Sequence, residues 1–262
     1  MEIVTDERGG LTVMRDGHPQ SYIDLDDPEL LVFEYIQHLA MVIDVMPTGP
    51  LRVTHIGGAG LTLPRYINHT RPESPQIVME PDEALTALVR RDAPLPRRHR
   101  IRVRPQTGAH GLPKLANSSA DAIILDAFAD GSVPADLLSA ESLGHVARAL
   151  TPGGIFLANV PDEPGLRFIA SVVTTLRQWW PHVGYLALTE TIKGRRFGNV
   201  VLVASASPLP EIELARAVAR TDFPTTFRGE RSAAKSAGTA KPLPAQGAAS
   251  PLAPDAGSWR VR

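Results

Sequence analysis

The chain has 262 residues, of which 43% are apolar and 21% are charged, and its formal net charge is −1. This length is enough for one large α/β domain with a sizeable core, or for such a domain with small appendages. The near-zero charge argues against a global basic field of the kind that attracts nucleic acid or anionic membranes. The absence of cysteine excludes disulfides, thiolate metal sites and a cysteine nucleophile.

The sequence pattern shows no targeting signal. Residues 1–7 lack the basic and apolar regions of a signal peptide. No apolar run approaches the roughly 20 residues that a membrane-spanning helix needs. Together with the cysteine-free composition, these observations predict a soluble cytoplasmic protein with no membrane partner.

The first elements in the chain are predicted to be short strands. Residues 1–27 are expected to form a β-hairpin region, because glycine-containing turn signals separate two alternating segments, 11–14 and 21–24. Asp27 can then cap a helix, in which apolar residues recur at helical spacing until Pro47 ends it.

From residue 51 the pattern alternates between strands and helices. Five segments have strand character: 51–56, 76–80, 101–104, 121–126 and 154–159. Helices fit between them, so the sequence predicts an α/β fold with a doubly wound, mainly parallel sheet. Two later strands, 183–188 and 199–204, are joined by a short basic turn and are expected to form an antiparallel pair at the sheet edge.

The composition changes after about residue 230 to mostly Ala, Ser, Pro and Gly. Such a segment has too little apolar surface to offset the entropy lost on ordering, so residues 231–262 are predicted to be disordered. This leaves residues 28–230 as the Rossmann-like domain that is expected to bind a nucleoside and to carry catalysis.

A nucleoside site is predicted at the carboxyl ends of the first two parallel strands, where open α/β sheets bind ligands. Gly57, Gly58 and Gly60 follow the first strand, and the missing Cβ atoms allow the backbone to approach a ligand. Glu80 ends the second strand, where a carboxylate can accept hydrogen bonds from both ribose hydroxyls. The alternative is that the glycines form only a tight turn and that Glu80 is an exposed strand end.

One departure from the dinucleotide-binding fingerprint restricts the type of cofactor that the site is expected to bind. Leu63 stands where that motif has its third glycine, which disfavours NAD. A dinucleotide also needs the N-terminus of the following helix for its pyrophosphate, whereas S-adenosylmethionine has no pyrophosphate. The sequence therefore predicts a cofactor that carries adenosine and a sulfonium centre.

Several stretches of the chain resemble the polyamine aminopropyltransferases, or spermidine synthases, and especially their actinobacterial spermidine synthase-like relatives. The matching stretches are RDGHPQ (15–20), FEYIQHL (33–39), IGGAG (56–60), VME (78–80), AIILDAF (122–128) and GRRFGNVVL (194–202). The resemblance covers most of residues 10–230 and implies a small N-terminal β domain followed by a methyltransferase-like Rossmann domain. It also implies decarboxylated S-adenosylmethionine as aminopropyl donor and a diamine such as putrescine as acceptor.

The resemblance assigns roles to individual residues. Glu80 matches the family's ribose-binding acid, and Asp126 matches the acid that takes a proton from the acceptor. Gln20 and Tyr35 fall near positions that line the donor and acceptor pockets. Asp130 is a candidate acceptor ligand, since it lies near the place of a second family acid.

Two positions depart from the family's amine-binding pattern, and an acid that usually contacts adenine after the third strand is also missing from residues 104–108. Gly60 stands where the family has an aspartate that holds the donor's amine, and Ala129 stands where the family has its second acid after the fourth strand. The fold and the nucleoside pocket carry over despite these changes, whereas diamine transfer does not follow from the resemblance; Glu34 or Asp130 could replace the acid that is absent at Ala129.

The chemistry of aminopropyl transfer explains the need for a carboxylate at Asp126. The reaction is a displacement in which a neutral amine attacks the carbon beside a sulfonium, whereas free amines are protonated near neutral pH. A carboxylate can bind the ammonium group, accept its proton and align the nitrogen. The alternative role of Asp126 is to hold the following loop by hydrogen bonds.

Two other functions remain open on the sequence alone: a methyltransferase that uses intact S-adenosylmethionine, and a non-catalytic nucleoside-binding module. No metal is expected, because the histidines show no metal-ligand spacing. The basic run at 90–104 is interpreted as a solvated loop and strand edge, so no nucleic-acid partner is expected, although such a run could grip phosphates. The resemblance further implies a homo-oligomer.

Overall fold

The computed structural model describes residues 1–58 and 60–254. The chain begins with a three-stranded antiparallel sheet, whose strands in order are β1 (Glu2–Thr5), β2 (Leu11–Arg15) and β3 (His18–Ile23). Asp16 and Gly17 both have positive φ, 50° and 77°, in the tight turn between β2 and β3. Such turns match the twist of paired strands, which explains the position of the hairpin. The predicted N-terminal β-hairpin region is confirmed.

An eight-stranded sheet forms the centre of the described structure. Its strands are β4 (Val53–Ile56), β5 (Gln76–Met79), β6 (Ile101–Arg104), β7 (Ala120–Leu125), β8 (Leu150–Asp162), β9 (His182–Leu188), β10 (Gly198–Ser205) and β11 (Thr225–Arg228). Their spatial order is β11-β9-β10-β8-β7-β4-β5-β6. The neighbouring strands from β8 to β6 form parallel pairs, namely β8–β7, β7–β4, β4–β5 and β5–β6. Strand β10 is antiparallel to both β8 and β9. The predicted mainly parallel sheet with an antiparallel late strand is confirmed.

Helices cover both faces of this sheet. They are α1 (Glu34–Asp44), α2 (Thr62–Thr70), α3 (Glu83–Asp92), α4 (Gly108–Gly111), α5 (Ala140–Ala149), α6 (Arg167–Leu176), α7 (Thr189–Ile192), α8 (Glu211–Val218) and α9 (Glu230–Ala237). Within the described ranges, no helix has both the length and the apolar character needed to cross a membrane.

The central strands are buried on both faces, as the apolar runs of the sequence require. In β8, Phe156, Ala158 and Val160 pack into one apolar cluster with α5, α6 and α9. Ile155 and Leu157 point to the other face and pack with α1 and α2. This alternation with a period of two follows from strand geometry, and it produces the doubly wound arrangement that the sequence predicts.

Two predicted features of the fold are wrong: the start of the first long helix and the position of the antiparallel strand pair. The first long helix begins at Glu34 rather than after Asp27, whose carboxylate accepts a hydrogen bond from the backbone N–H of Glu29 in a local turn. The antiparallel pair β9–β10 does not lie at the sheet edge, because β11 pairs with β9. Strand β11 contains one apolar residue, Phe227, so its sequence has neither the apolar run nor the alternation that identifies a strand.

The prediction that the chain is disordered after residue 230 is wrong for the part that the structure describes. Helix α9 packs Ala233 and Ala237 into the core, and residues 239–254 continue along the surface of the domain. Small side chains allow close backbone approach, so an Ala- and Gly-rich segment can pack without large apolar groups. Residues 255–262 lie outside the described residues.

Candidate active site

A cavity of about 670 Å³ lies at the carboxyl ends of β4, β5 and β7. Strand β4 comes first among the parallel strands and pairs with β5 on one side and β7 on the other. The strand order therefore reverses at this point, which is where open α/β sheets form ligand crevices. Residues from β2 and β3, and from the loop between β7 and α5, complete its walls.

Gly57 and Gly58 form the floor of the cavity where β4 ends. The backbone N–H of Gly57 donates to Met79 in β5, and the N–H of Asp126 donates to Ile56, so the three strand ends are tied together. A Cβ atom on Gly57 would overlap the backbone oxygen of Asp126. A glycine is therefore required for this close approach, as well as for the φ of 81°.

A substitution at Gly57 should distinguish the free-energy cost of this steric overlap from the cost of a left-handed backbone alone. Gly9 has a similar φ of 88° but open space around its missing Cβ. Both Gly→Ala changes carry a left-handed strain of about 1–2 kcal/mol, while Gly57→Ala adds an overlap worth about 1–3 kcal/mol. We expect Gly57→Ala to have a Tm several degrees below that of Gly9→Ala in thermal melts. Equal Tm values would show that the ends of β4 and β7 are not packed this closely.

Gly60 does not line the cavity, although the sequence suggested a cofactor contact there. A Cβ on Gly60 would lie 2.7 Å from the hydroxyl of Ser21 and against Ile23 in β3. The turn after β4 therefore directs this residue toward the N-terminal sheet, where glycine is needed for packing.

Glu80 lies on the cavity wall directly after β5 and is almost completely buried. Its backbone N–H donates to the carbonyl of Arg104 at the end of β6, and its Oε1 accepts a hydrogen bond from the backbone N–H of Asp82. Asp82 in turn caps α3 through the N–H of Leu85 and forms an ion pair with Arg15 of β2. These contacts hold the Glu80 carboxylate beside the N-terminus of α3. Sequence reasoning did not identify Arg15 or Asp82 as part of this site.

Asp126 follows β7 and lines the same cavity. Burial raises the pKa of its carboxyl to about 6, while a 3.0 Å hydrogen bond from the side-chain amide of Asn159 opposes that rise. Asn159 is fully buried in β8, the strand next to β7. A carboxyl with a pKa near 6 can exchange a proton close to neutral pH, which suits a general base.

Sequence reasoning also missed Asn159 itself. Its signal was a polar residue within an otherwise apolar stretch of a buried strand, a position that needs a hydrogen-bond partner.

Three other predicted site residues, Gln20, Tyr35 and Asp130, also line the cavity. The ring of Tyr35 stacks on Phe33 with centroids 6.0 Å apart. Burial raises the pKa of Tyr35 well above its usual value, and the nearby charges of Asp126 and Glu34 add to the effect. Tyr35 is therefore a neutral hydrogen-bonding group beside Asp126.

Asp130 reaches the cavity because of a tight turn. Asp130 and Gly131 have positive φ, 49° and 80°, and the flanking residues Ala129 and Ser132 form an isolated antiparallel bridge. Asp136 from the same loop also lines the cavity, and sequence reasoning missed it.

The charged side chains of the described lining are mostly acidic. Arg15 is the basic one, and the acidic ones are Glu80, Asp82, Asp126, Asp130 and Asp136. A concave site with an excess of one sign of charge attracts ligands of the opposite sign, so this predominantly acidic cavity suits cations. In residues 1–58 and 60–254, no group of three or more potential metal ligands is arranged to hold an ion.

Comparison with known proteins gives both sequence and structural relatives, while no family model matches the chain. The polyamine aminopropyltransferase of Chromobacterium violaceum is 28% identical over 161 residues, which are 60% of this chain and 61% of that relative. The match thus spans less than two thirds of the relative's length.

Solved structures match over more of the chain. A probable spermidine synthase from Corynebacterium glutamicum is 29% identical, with a TM-score of 0.84 over 92% of this chain and 91% of that one. Human methyltransferase-like protein 13, solved with SAH, is 20% identical, with a TM-score of 0.58 over 72% of this chain and 91% of that one; it supports the fold alone. The methyltransferase-like Rossmann fold and the family resemblance predicted from the motifs are confirmed.

Proposed function

Because the chain is similar in sequence and in fold to the spermidine synthase family, we propose that it is an aminopropyltransferase. Its donor would be decarboxylated S-adenosylmethionine and its acceptor a small amine. The observation that carries the proposal is Asp126, a carboxyl with a pKa of about 6 in an acid-lined cavity beside the Gly57–Gly58 turn and Glu80. The domain that would perform the reaction begins at residue 28 and includes α9, which packs into the core beyond residue 230.

The size and the lining of the cavity support the proposed donor. Its volume of about 670 Å³ lies in the range of small-molecule sites. Glu80 would accept hydrogen bonds from the ribose hydroxyls, and Gly57 and Gly58 would let the nucleoside lie against the backbone. Apolar side chains that line the cavity, including Met79 and Leu85, offer a surface for the adenine ring.

The acceptor amine would lie on the side of Asp126. This carboxylate would bind the ammonium form and take its proton, and the freed nitrogen lone pair would attack the methylene carbon beside the sulfonium. The carbon–sulfur bond breaks with its electron pair moving to sulfur, which leaves a neutral thioether. Asp130 and Asp136 could bind a second ammonium group of a diamine, in place of the acid that Ala129 lacks.

Asn159 is expected to control the pH at which Asp126 works. Its hydrogen bond favours the ionised carboxylate, so Asn159→Ala should raise the pKa of Asp126 further above about 6. The acidic limb of the plot of log kcat/KM against pH should then move to higher pH. An unchanged limb would contradict the role of Asn159, and a matched change at an exposed residue, Asn117→Ala, serves as the control.

Isothermal titration calorimetry distinguishes the proposed donor from intact S-adenosylmethionine. We expect tighter binding of the decarboxylated form, because the carboxylate of the intact form would enter a cavity already lined by acids. Preference for the intact form would indicate a methyltransferase. Binding of neither would favour the reading that Gly57, Gly58 and Glu80 form only a turn and a strand end.

The proposal involves two small molecules and neither a metal nor nucleic acid. We propose that the protein acts in the cytoplasm, which the absence of cysteine fits. A homo-oligomer is proposed from the family resemblance alone.

A further inference from the structure

The segment after α9, residues 239–254, crosses the outside of the loop between β7 and α5, residues 126–139. We name residues 239–254 the strap and residues 126–139 the wall loop. Residues 126–128 of the wall loop line the cavity, and so do Ala129, Asp130, Pro134, Asp136 and Leu137 further along it. Contacts that fix the wall loop therefore also fix one side of the cavity.

The first half of the strap is attached to two helices. The backbone N–H of Leu243 donates to the hydroxyl of Thr175 in α6 at 2.7 Å, and Leu243 packs against the core. The carbonyl of Ala245 accepts a hydrogen bond from the N–H of Ala140 at 2.9 Å. Ala140 is the first residue of α5, and such N–H groups have no acceptor within their own helix. The strap thus supplies an acceptor at the end of the wall loop.

The second half of the strap pairs with the wall loop itself. The hydroxyl of Ser250 accepts from the N–H of Val133 at 2.9 Å, and the N–H of Ser250 donates to the carbonyl of Val133 at 3.2 Å. Both residues are buried. Gly247 lies so close to the loop that a Cβ there would overlap the carbonyl oxygen of Ala135.

The wall loop depends on these contacts because it has few of its own. Ala129 and Ser132 pair across the tight turn, and a short 3₁₀ helix, Ala135–Leu138, precedes α5. Val133 lies between these elements, so its backbone groups are outside the hydrogen bonding of the sheet and the helices. Buried backbone groups need partners, and Ser250 provides them.

We infer that the strap positions the acceptor side of the active site, an inference that rests on the proposed function. Asp130 and Asp136 lie on the wall loop that the strap holds, whereas Gly57, Gly58 and Glu80 follow β4 and β5. Detaching the strap therefore weakens acceptor binding more than donor binding.

The test compares Gly247→Ala with Gly9→Ala, since both glycines have a positive φ, 81° and 88°, while Gly9 has open space around its missing Cβ. A chain that ends at Gly238 is compared in the same way with one that ends at Pro254. With saturating donor, we expect Gly247→Ala and the shorter chain to raise the acceptor KM at least about 10-fold. Their affinity for 5′-methylthioadenosine should stay within about twofold of the native value. Amide hydrogen exchange at Val133 and Ala140 should become faster in both.

The experiment distinguishes failure of this inference from failure of the proposed function. The inference is overturned if exchange in the wall loop is unchanged, or if exchange becomes faster while the acceptor KM stays at the native value. Equal losses of donor and acceptor affinity would also overturn it, because they indicate general loosening. Failure of the proposed function is recognised independently, since the native protein would then form no product from any amine.

Discussion

Asp126→Asn is expected to reduce kcat for aminopropyl transfer by about 10²–10⁴-fold, the usual contribution of a general base. The amide has the shape of the carboxylate and can keep the hydrogen bond from Asn159, but it cannot accept the acceptor's proton. Affinity for 5′-methylthioadenosine should change little, because Glu80 and the Gly57–Gly58 turn would hold the nucleoside. Steady-state kinetics with calorimetry on the same preparation measures both effects.

The control for Asp126 is the same substitution at Asp222, an exposed carboxylate outside the cavity lining. Asp222→Asn should have native kinetics. Native turnover in Asp126→Asn would remove Asp126 from the reaction and leave it a role in holding the loop after β7.

The pKa of Asp126 also predicts how activity and stability depend on pH. The base acts in its ionised form, so kcat/KM should fall as the pH drops through about 6. Burial raises the folded-state pKa above the ordinary 3.8, which means that the ionised form destabilises the fold. The contribution of this group to stability is present below about pH 4 and is lost as the pH rises through about 6. Asp126→Asn should therefore be at least as stable as the native protein at pH 7.5.

Glu80→Gln is expected to weaken donor binding by about 10- to 100-fold, since a hydrogen bond to a charged group contributes about 1.5–3 kcal/mol. The glutamine can retain the hydrogen bond from the N–H of Asp82 through its amide oxygen. Its NH₂ group, however, cannot accept a hydrogen bond from a ribose hydroxyl. Calorimetry with 5′-methylthioadenosine measures the loss without requiring turnover.

Glu83→Gln is the matched control, because Glu83 is exposed in the first turn of α3, three residues further along the chain. It should bind the nucleoside as the native protein does. If both variants bind equally well, Glu80 does not contact the ribose and the donor lies elsewhere in the cavity.

Much of the fold could be predicted because the strands are buried on both faces and the turns contain glycine. Apolar runs such as Ala120–Leu125 predict parallel strands, and the positions that end those strands must meet at one edge of the sheet. That reasoning placed Glu80 and Asp126 together, and the structure finds both on one cavity.

Other features depend on three-dimensional contacts that a local pattern does not contain. The direction of Gly60 is set by Ser21 and Ile23, which lie about 40 residues earlier in the chain. The order of the strap comes from hydrogen bonds to distant residues such as Val133, and its composition alone predicts disorder. Asn159 matters because β8 lies beside β7, a pairing that its own strand pattern does not reveal.

The central claim is aminopropyl transfer, and mass spectrometry of the products tests it most directly. The native protein would be incubated with decarboxylated S-adenosylmethionine and each of a panel of mono- and diamines, with Asp126→Asn as the inactive control. We predict equal amounts of 5′-methylthioadenosine and of an amine heavier by one aminopropyl group, formed by the native protein and almost absent with the variant. Calorimetrically detected donor binding with no aminopropylated product from any amine would contradict the account and identify a nucleoside-binding protein without this activity.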